Sequence, residues 1–253
     1  MDRSRSSRML IFALVLAAFL LMLNTGCVLL ERKLLFFPTH DTRTNGLPSW
    51  RDSEDVIGFA REVNQPKAIW LMLHGNGGQA ADRAYAIQAF ASDDSIYILE
   101  YPGYGARMGK PSKESFNLAA QQAYLLLRKQ YPSRPVCVVS ESIGSGAASY
   151  LASLPEPPNK LVLIAPFDRL RRVAQEHFPS WLVALLLRDD WNNVELLANY
   201  RGPVEIYGAA NDEVIPVSHA RALAAAIPQA KFTLITGVHN DWSHGDQVRI
   251  RYE

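Results

Sequence analysis

The strongest constraint on the fold is a repeated alternation of short apolar strands with helical segments. Strand-like runs at 67–73 (KAIWLML), 95–101 (SIYILEY) and 135–140 (PVCVVS) are almost continuously apolar and are bounded by Gly or Pro. Strands of this kind are buried on both faces of a sheet. Helical patterns separate them, including 112–130, which begins at the cap candidate Ser112. The alternation predicts an α/β fold with a mostly parallel central sheet flanked by helices.

The predicted sheet and helices occupy one domain, residues 55–253, which follows a tether and lead-in segment at 27–54. A chain of 253 residues is long enough to bury one core of this kind. The alternation is interrupted at 167–202, between strands 6 and 7 of the expected sheet. This long segment predicts a small helical cap over one end of the sheet. The alternative is a pair of ordinary packing helices away from any site.

An apolar run within the predicted cap suggests where an acyl chain could bind. The run is WLVALLL at 181–187. Trp181 and Leu185 are therefore candidate substrate-binding residues. The alternative is that these side chains only pack the cap onto the sheet.

The first 26 residues have the pattern of an export signal. Three arginines within the first eight residues precede an apolar run at 9–23, and small residues then lead to Cys27. The run is shorter than the roughly 20 residues of a membrane span. Cys27 is therefore the candidate lipidation site of a periplasm-facing bacterial lipoprotein, although Asn24 stands where that motif normally has an aliphatic residue. The alternative is an uncleaved single-pass anchor, and both interpretations place the domain in the cell envelope, tethered to a membrane.

The charge balance and the cysteine content bear on possible nucleic-acid partners and on disulfide bonds. The chain has 26 basic and 25 acidic residues and a net charge of +1. Without a basic stripe, no nucleic-acid partner is expected. Cys137 lies in a strand between valines, and it has no partner if Cys27 carries a lipid, so no disulfide is expected. Nothing in the sequence predicts an oligomeric state.

The strand at 135–140 continues into a turn that fits the nucleophile elbow G-x-S-x-G, in which strand and helix backbones nearly touch. Centred on Ser142, the turn has Gly144 in the second small position and Ser140 in the first. Ser145 falls inside the following helix, where small residues permit close packing. Ser142 is therefore the candidate nucleophile. The alternative is a strand-to-helix turn without a catalytic role.

Two further residues complete a possible catalytic set. A serine hydroxyl needs a base that accepts its proton, and the base needs a carboxylate that orients it. In this type of fold the acid and then the histidine follow the serine along the chain. Asp212 follows the strand at 203–208, and His239 follows the strand at 231–236. We therefore expect Ser142, Asp212 and His239 to act together.

Each of these roles has a competitor. Asp168 also ends a strand, Glu213 adjoins Asp212, and His244 competes with His239. Asp212 is favoured because it lies in a turn before a helix, and His239 because it is closer to its strand. A metal site formed by histidines and carboxylates around His239 and His244 is a further alternative.

The remaining requirement is a pair of backbone N–H groups for the oxyanion of the transition state. One donor should be Ile143, which follows the candidate nucleophile. The glycine-rich loop at 74–78 should supply the other from Asn76, with the next glycine as the alternative. This loop lacks the spacing of a nucleotide-binding motif. His74 and His219 are interpreted as loop or surface residues.

An ordered set of motifs resembles the α/β-hydrolase superfamily. The motifs are HGNGG, EYPGYG, SESIG, APFDRL, LLLRDDWNN, GAANDEVIP and GVHND. Together with KLLFFPT at 33–39, they are most similar to the Bem46-like and ABHD13/ABHD17-like serine hydrolases, and the resemblance covers roughly 33–242. It implies an α/β-hydrolase fold in which Ser142, Asp212 and His239 form the triad. Ser140 and Glu100 depart from the family pattern, but neither change removes a catalytic group.

The expected function is therefore that of a membrane-tethered serine hydrolase. It would cleave a small-molecule or lipid-like ester or thioester through an acyl-enzyme, with no cofactor and no metal. One alternative is a pseudo-hydrolase that binds an envelope component without turning it over. Another is an acyltransferase that uses the same three residues but excludes water.

Overall fold

Apolar segments of the sequence form an eight-stranded sheet in the computed structural model, which describes residues 26–243 and 246–252. In chain order the strands are β1 (Phe37–Pro38), β2 (Ser49–Asp52), β3 (Asp55–Arg61), β4 (Ile69–Leu73), β5 (Gly77–Gly78), β6 (Ser95–Leu99), β7 (Val136–Glu141), β8 (Leu161–Ile164), β9 (Val204–Ala209) and β10 (Ala230–Ile235). The main sheet has the order β10-β9-β8-β7-β4-β6-β3-β2, and β1 pairs separately with β5. The β2–β3 and β3–β6 pairs are antiparallel, and the other pairs are parallel. The predicted fold class, a mostly parallel sheet flanked by helices, is confirmed.

Helices connect the strands and cover the sheet. They are α1 (26–35), α2 (Lys113–Gln130), α3 (Gly144–Ala152), α4 (Leu170–His177), α5 (Ser180–Leu186), α6 (Asn193–Leu197) and α7 (Val217–Ala226), with 3₁₀ helices at Ala80–Ala89 and Asp241–Ser243. Helices α4 to α6 lie between β8 and β9, in the segment where the sequence predicts a cap. Helix α6 packs on α3 and α7, whereas α4 and α5 contact each other.

The central strands are almost entirely apolar because the sheet is buried on both faces. In β4, Ile69, Leu71 and Leu73 belong to one core cluster, and Trp70 and Met72 belong to the cluster on the opposite face. All five side chains are fully buried. Alternate residues of a strand point to opposite faces, so a strand between two cores needs no polar position.

The main sheet extends into the segment expected as a lead-in to the domain. Strand β2 pairs with β3, and Trp50 of β2 packs its ring 4.9 Å from the ring of Tyr97. Trp50 is buried in the same core cluster as the central strands. The tether region therefore contributes an edge strand and an aromatic side chain to the core.

The predicted signal segment lies outside the described residues except for its last residue. Cys27 is half-buried in α1, and Cys137 is buried in β7; neither forms a disulfide. Burial raises the pKa of the Cys137 thiol to about 12. Within the two described ranges, no helix has both the length and the apolar character needed to cross a membrane.

Helix α2 begins at the cap candidate identified in the sequence. The Ser115 N–H donates to Oγ of Ser112 (3.1 Å), and the Ser112 N–H donates to Oγ of Ser115 (2.9 Å). This reciprocal pair satisfies two backbone groups at a helix start that otherwise lack partners. It therefore fixes where α2 begins against the sheet.

We predict that Ser112→Ala lowers the free energy of unfolding by about 1 kcal/mol, because the α2 cap is lost. Urea unfolding followed by circular dichroism measures the change. Ser133→Ala, an exposed serine in the turn after the same helix, is the matched control and should leave stability unchanged. Equal stability of both variants would contradict the assigned role of the cap.

Candidate active site

The turn between β7 and α3 holds Ser142 in a backbone conformation that few residues with a Cβ adopt. Its φ is +53°, and the left-handed region costs roughly 1–2 kcal/mol for such a residue. Two main-chain hydrogen bonds fix the turn. The Ser142 N–H donates to the Ile164 carbonyl (2.9 Å), and the Ser142 carbonyl accepts from the Ser145 N–H (3.0 Å). The strained turn places Ser142 at the wall of a cavity.

Close approach of strand and helix explains the small residues around Ser142. A Cβ on Gly144 would lie 2.3 Å from a backbone carbonyl oxygen of β4, so only glycine fits there. Ser140 is fully buried, and Ser145 Oγ accepts a hydrogen bond from Asn193 Nδ2 (3.1 Å). Of these three serines, only Ser142 lines the cavity.

His239 and Asp212 form a direct hydrogen-bonded pair. Nδ1 of His239 lies 2.7 Å from Oδ2 of Asp212. The other carboxylate oxygen of Asp212 accepts from the N–H groups of Val214 (2.9 Å) and Ile215 (2.8 Å), so the acid is held from both sides. His239 lines the same cavity as Ser142. Because Asp212 engages Nδ1, Nε2 is the ring nitrogen left to exchange a proton with a group in the cavity.

The competing acid, Asp168, is bound to a different histidine. Its Oδ1 lies 2.7 Å from Nδ1 of His219, and Nε2 of His219 lies 2.9 Å from Oε1 of Glu176. The interpretation of His219 as a loop or surface residue is wrong, because partners for both ring nitrogens allow this histidine to be buried in α7. The hydrogen bond that His219 donates to Asp168, together with the nearby carboxylate charges, raises the pKa of His219. Glu213 is exposed at the cavity, and His244 lies outside the described residues.

No group of three or more His, Cys, Asp and Glu side chains is placed to hold a metal ion within residues 26–243 and 246–252. The alternative metal site includes His244, which the structure does not describe. The described part of that segment instead uses His239 in its pair with Asp212.

The loop after β4 is held by the N-terminal segment. Asn76 donates through Nδ2 to the Leu35 carbonyl at the end of α1, and its Oδ1 accepts from the Phe37 N–H (3.3 Å). Within the described ranges, the backbone N–H groups of Asn76 and Ile143 have no hydrogen-bond acceptor. Both residues line the cavity. Main-chain donors of this kind can stabilise an oxyanion. His74 begins this loop but is fully buried, so it is not a surface residue.

These groups surround a cavity of about 970 Å³ at the carboxyl ends of the parallel strands. Helix α4 of the predicted cap forms one wall, and His177 at its end lies with Nε2 2.9 Å from the Val214 carbonyl. Leu34, Phe37, Phe178 and Val214 line the cavity and are also exposed to solvent. We call these four residues the rim, because they mark the opening of the cavity.

Trp181 and Leu185 do not line this cavity. Both are exposed on α5, at 69% and 58% of their surface. The opposite side of α5 is buried through Val183 and Leu186, which line a small apolar pocket together with residues of α1. The apolar lining of the main cavity comes instead from α4 and from the N-terminal segment.

Sequence reasoning missed Glu141, whose carboxylate accepts four hydrogen bonds. Oε1 accepts from the Gly75 N–H (2.8 Å) and from Nε of Arg83 (2.7 Å). Oε2 accepts from Nε1 of Trp242 (2.9 Å) and from the hydroxyl of Tyr85 (3.2 Å). These donors belong to the loop after β4, the first 3₁₀ helix and the segment after β10.

Glu141 is ionised although it is buried. Burial alone would raise its pKa, but the Arg83 charge and the N–H donors outweigh that effect and lower the pKa to about 2. Glu141 directly precedes Ser142. Its partner Gly75 adjoins Asn76, and its partner Trp242 lies three residues after His239. The carboxylate therefore fixes the elbow and two flanking loops relative to one another.

The sequence does contain a signal for Glu141. A carboxylate at the end of an otherwise apolar, two-face-buried strand must find a cation or several hydrogen-bond donors. Its partner Arg83 has no comparable signal, because it lies 58 positions earlier. The contribution of the N-terminal segment to the cavity also has no signal beyond the KLLFFPT resemblance.

Comparison with known proteins gives relatives of similar and of greater length. The chain matches no protein-family model. It is similar to an uncharacterised protein of Mycobacterium tuberculosis, with 28% identity over 250 residues, 90% of this chain and 89% of that protein. It is also similar to human alpha/beta hydrolase domain-containing protein 17B (30% identity, 65% of this chain and 57% of that protein). A third relative is the lysophosphatidylserine lipase ABHD12 of Danio rerio (24% identity, 72% and 53%). The chain thus spans little more than half of the last two relatives.

Solved structures of an esterase and of another hydrolase have a similar fold. A Pyrococcus furiosus esterase superposes with a TM-score of 0.65 at 14% identity, covering 83% of this chain and 92% of that one. A hydrolase from Pseudomonas aeruginosa superposes with a TM-score of 0.58 at 16% identity, covering 79% and 94%. The chain has the α/β-hydrolase fold and is similar in sequence to proteins of that superfamily. The likeness to protein 17B is consistent with the ABHD17-like group, and these α/β hydrolases together support hydrolase activity at a general level.

We predict that Glu141→Gln lowers the free energy of unfolding at pH 7 by about 3–5 kcal/mol, because Arg83 is left buried without its charge partner. The folded-state pKa of about 2 lies below the usual value of 4.5. The stabilisation is therefore complete above pH 4.5 and is lost as pH falls towards 2. The difference between the variant and the original protein should shrink over that window.

Urea unfolding at a series of pH values tests this. Glu156→Gln is the matched control, because Glu156 is exposed and makes only a 3.7 Å surface pair with Arg128. That change should cost less than about 1 kcal/mol. A Glu141→Gln effect that is small, or that does not change between pH 7 and pH 3, would contradict the assigned ion pair.

Proposed function

We propose that the protein is a serine hydrolase that cleaves carboxylic ester or thioester bonds through an acyl-enzyme. The observation that carries the proposal is the placement of His239. It lines the same cavity as Ser142, and its Nδ1 is bonded to Asp212. The order of these residues along the chain and the strained elbow support the same assignment.

The reaction begins when Nε2 of His239 takes the proton of the Ser142 hydroxyl. Ser142 Oγ attacks the acyl carbonyl carbon, and the carbonyl oxygen becomes an oxyanion that accepts hydrogen bonds from the N–H groups of Ile143 and Asn76. The tetrahedral intermediate collapses and expels the alcohol or thiol, which receives the proton from His239. Water then attacks the acyl-enzyme by the same route, and this step releases the acid and restores Ser142.

Asp212 supports this cycle without exchanging the proton itself. Its Oδ2 selects the tautomer of His239 that carries a proton on Nδ1, and its charge stabilises the imidazolium formed during attack. The two N–H donors to its other oxygen fix the direction of the carboxylate. If the carboxylate rotated, the His239 ring would turn with it, and Nε2 would no longer be directed at the Ser142 hydroxyl.

The cavity favours an ester with a substantial apolar part. Its volume of about 970 Å³ lies at the upper end of the range for small-molecule sites. Much of its wall is aliphatic or aromatic, from Leu34 and Leu35 on one side to Leu170 and Val173 on the other. One similar protein is a lysophosphatidylserine lipase. We therefore propose a lipid-like ester as substrate.

We predict that Ser142→Ala reduces turnover of a p-nitrophenyl ester by about 10³-fold or more. Circular dichroism should show an unchanged fold. Ser140→Ala, in the same turn but away from the cavity, is the matched control and should keep its activity. A fluorophosphonate probe should label the original protein and the control but not Ser142→Ala.

Three results would overturn all or part of this proposal. Undiminished turnover in Ser142→Ala would show that another residue is the nucleophile. No labelling of the original protein, where a known serine hydrolase reacts, would favour a non-catalytic binding role. Transfer of the acyl group to an added alcohol in preference to water would identify an acyltransferase.

We also propose that Cys27 carries a lipid that tethers the domain to a membrane of the cell envelope. The apolar run at 9–23 and the small residues before Cys27 support this. Mass spectrometry of the purified chain should show an N-terminus at Cys27 with added acyl mass. Cys27→Ser should abolish that modification, whereas Cys137→Ser should not. An unmodified start at Met1 would exclude lipidation.

A further inference from the structure

Four apolar side chains at the opening of the cavity face solvent, beside the exposed polar residues His177, Glu213 and Asn240. The four rim residues come from three separate segments of the chain, and each exposes between 43% and 55% of its surface. Large apolar side chains gathered around one opening are unusual for a surface in contact only with water, and they indicate an interaction site. The rim therefore marks a surface that can contact an apolar partner.

The outward side of α1 extends the same apolar surface. Leu29 and Leu30 are exposed, as is Leu34 one turn further along, where the helix reaches the rim. Lys33 is exposed on the same side. A helix with exposed leucines and an adjacent lysine suits the boundary between acyl chains and phosphate headgroups.

Helix α1 is firmly attached by its other side. The carboxylate of Glu31 is buried and accepts from the N–H groups of Arg188 (2.6 Å) and Asp189 (2.8 Å). Leu35 at its end is bonded to Asn76 of the loop after β4. The exposed leucines therefore stay outward because the helix cannot turn over without breaking these contacts.

The proposed tether is adjacent to this surface in the sequence. The apolar run at 9–23 and Cys27 lie immediately before the exposed leucines. At about 1.5 Å per helical residue, Leu34 at the rim lies only about 10 Å along α1 from Cys27. Any lipid or anchor at that end of the chain holds the rim next to the bilayer.

We propose that the rim, together with Leu29, Leu30 and the exposed Trp181 of α5, forms a docking face for a phospholipid bilayer. A lipid-like ester then enters the cavity directly from the bilayer. This inference rests on the proposed tether and ester hydrolysis. It gives the exposed Trp181, which does not line the cavity, a position at the membrane interface.

A second copy of the chain fits this face less well. A symmetric pair would use the same patch twice. Both Lys33 ammonium groups would then be brought towards an apolar contact without a matching carboxylate on that side of α1. A bilayer accepts the same lysine at its phosphate groups.

The first test measures docking without any reaction. The full-length protein is reconstituted in vesicles of phosphatidylethanolamine and phosphatidylglycerol, with and without brominated acyl chains. Trp50, Trp70, Trp191 and Trp242 are buried, so lipid-borne bromine should quench only Trp181. We expect a loss of fluorescence that Trp181→Phe removes.

The second test measures delivery of the substrate. In the same vesicles, the rate on bilayer-dispersed p-nitrophenyl palmitate is divided by the rate on soluble p-nitrophenyl butyrate. Leu29→Gln/Leu30→Gln should lower this ratio roughly tenfold through lost apolar contact. Leu118→Gln/Leu125→Gln on α2 is the matched control, with two leucines of similar exposure away from the cavity, and should not change the ratio.

The outcomes separate this inference from the proposed function. Quenching of Trp181 in a protein that hydrolyses neither ester would support docking and reject the enzyme. Hydrolysis without quenching, or an equal effect of both leucine pairs, would overturn docking. A dimer in detergent that Leu29→Gln/Leu30→Gln dissociates, without quenching in vesicles, would assign the face to a second copy.

Discussion

The arrangement of the candidate site depends on one buried ion pair, between Glu141 and Arg83. A carboxylate taken out of water is costly unless charge and hydrogen bonds compensate it, and here four donors do so. Those donors come from three segments that are distant along the chain. The ion pair therefore fixes the positions of these three segments relative to one another, because Glu141 can be ionised and buried only when all three are in place.

The cap is held by a second polar cluster that is independent of the first. His219 of α7 bridges Asp168 after β8 and Glu176 of α4, and Arg172 of α4 also pairs with Asp168. His177, which follows Glu176 in α4, contacts the carbonyl of Val214 in the loop that carries Asp212. The cavity wall and the carboxylate that orients His239 are thus positioned by neighbouring contacts.

Much of the fold follows from local sequence, because a strand between two cores has to be apolar, and 69–73 and 136–139 show this plainly. The chain order of Ser142, Asp212 and His239 could be read because each follows a recognisable strand. Composition could not show which side of α5 is buried, because every side chain in the run WLVALLL is apolar. Packing against α1 and α4 selects Val183 and Leu186. The partners of Glu141 were equally inaccessible, since they are joined by tertiary contacts alone.

The pairing of β1 with β5 has a consequence for how the protein can be altered. The N-terminal segment that carries β1 also supplies the backbone partners of Asn76, at Leu35 and Phe37. A cut just after β1 would separate these partners from the domain and so loosen the loop after β4, which lines the cavity. Any replacement of the N-terminal residues therefore has to leave 26–38 in place if the geometry of this loop is to be kept.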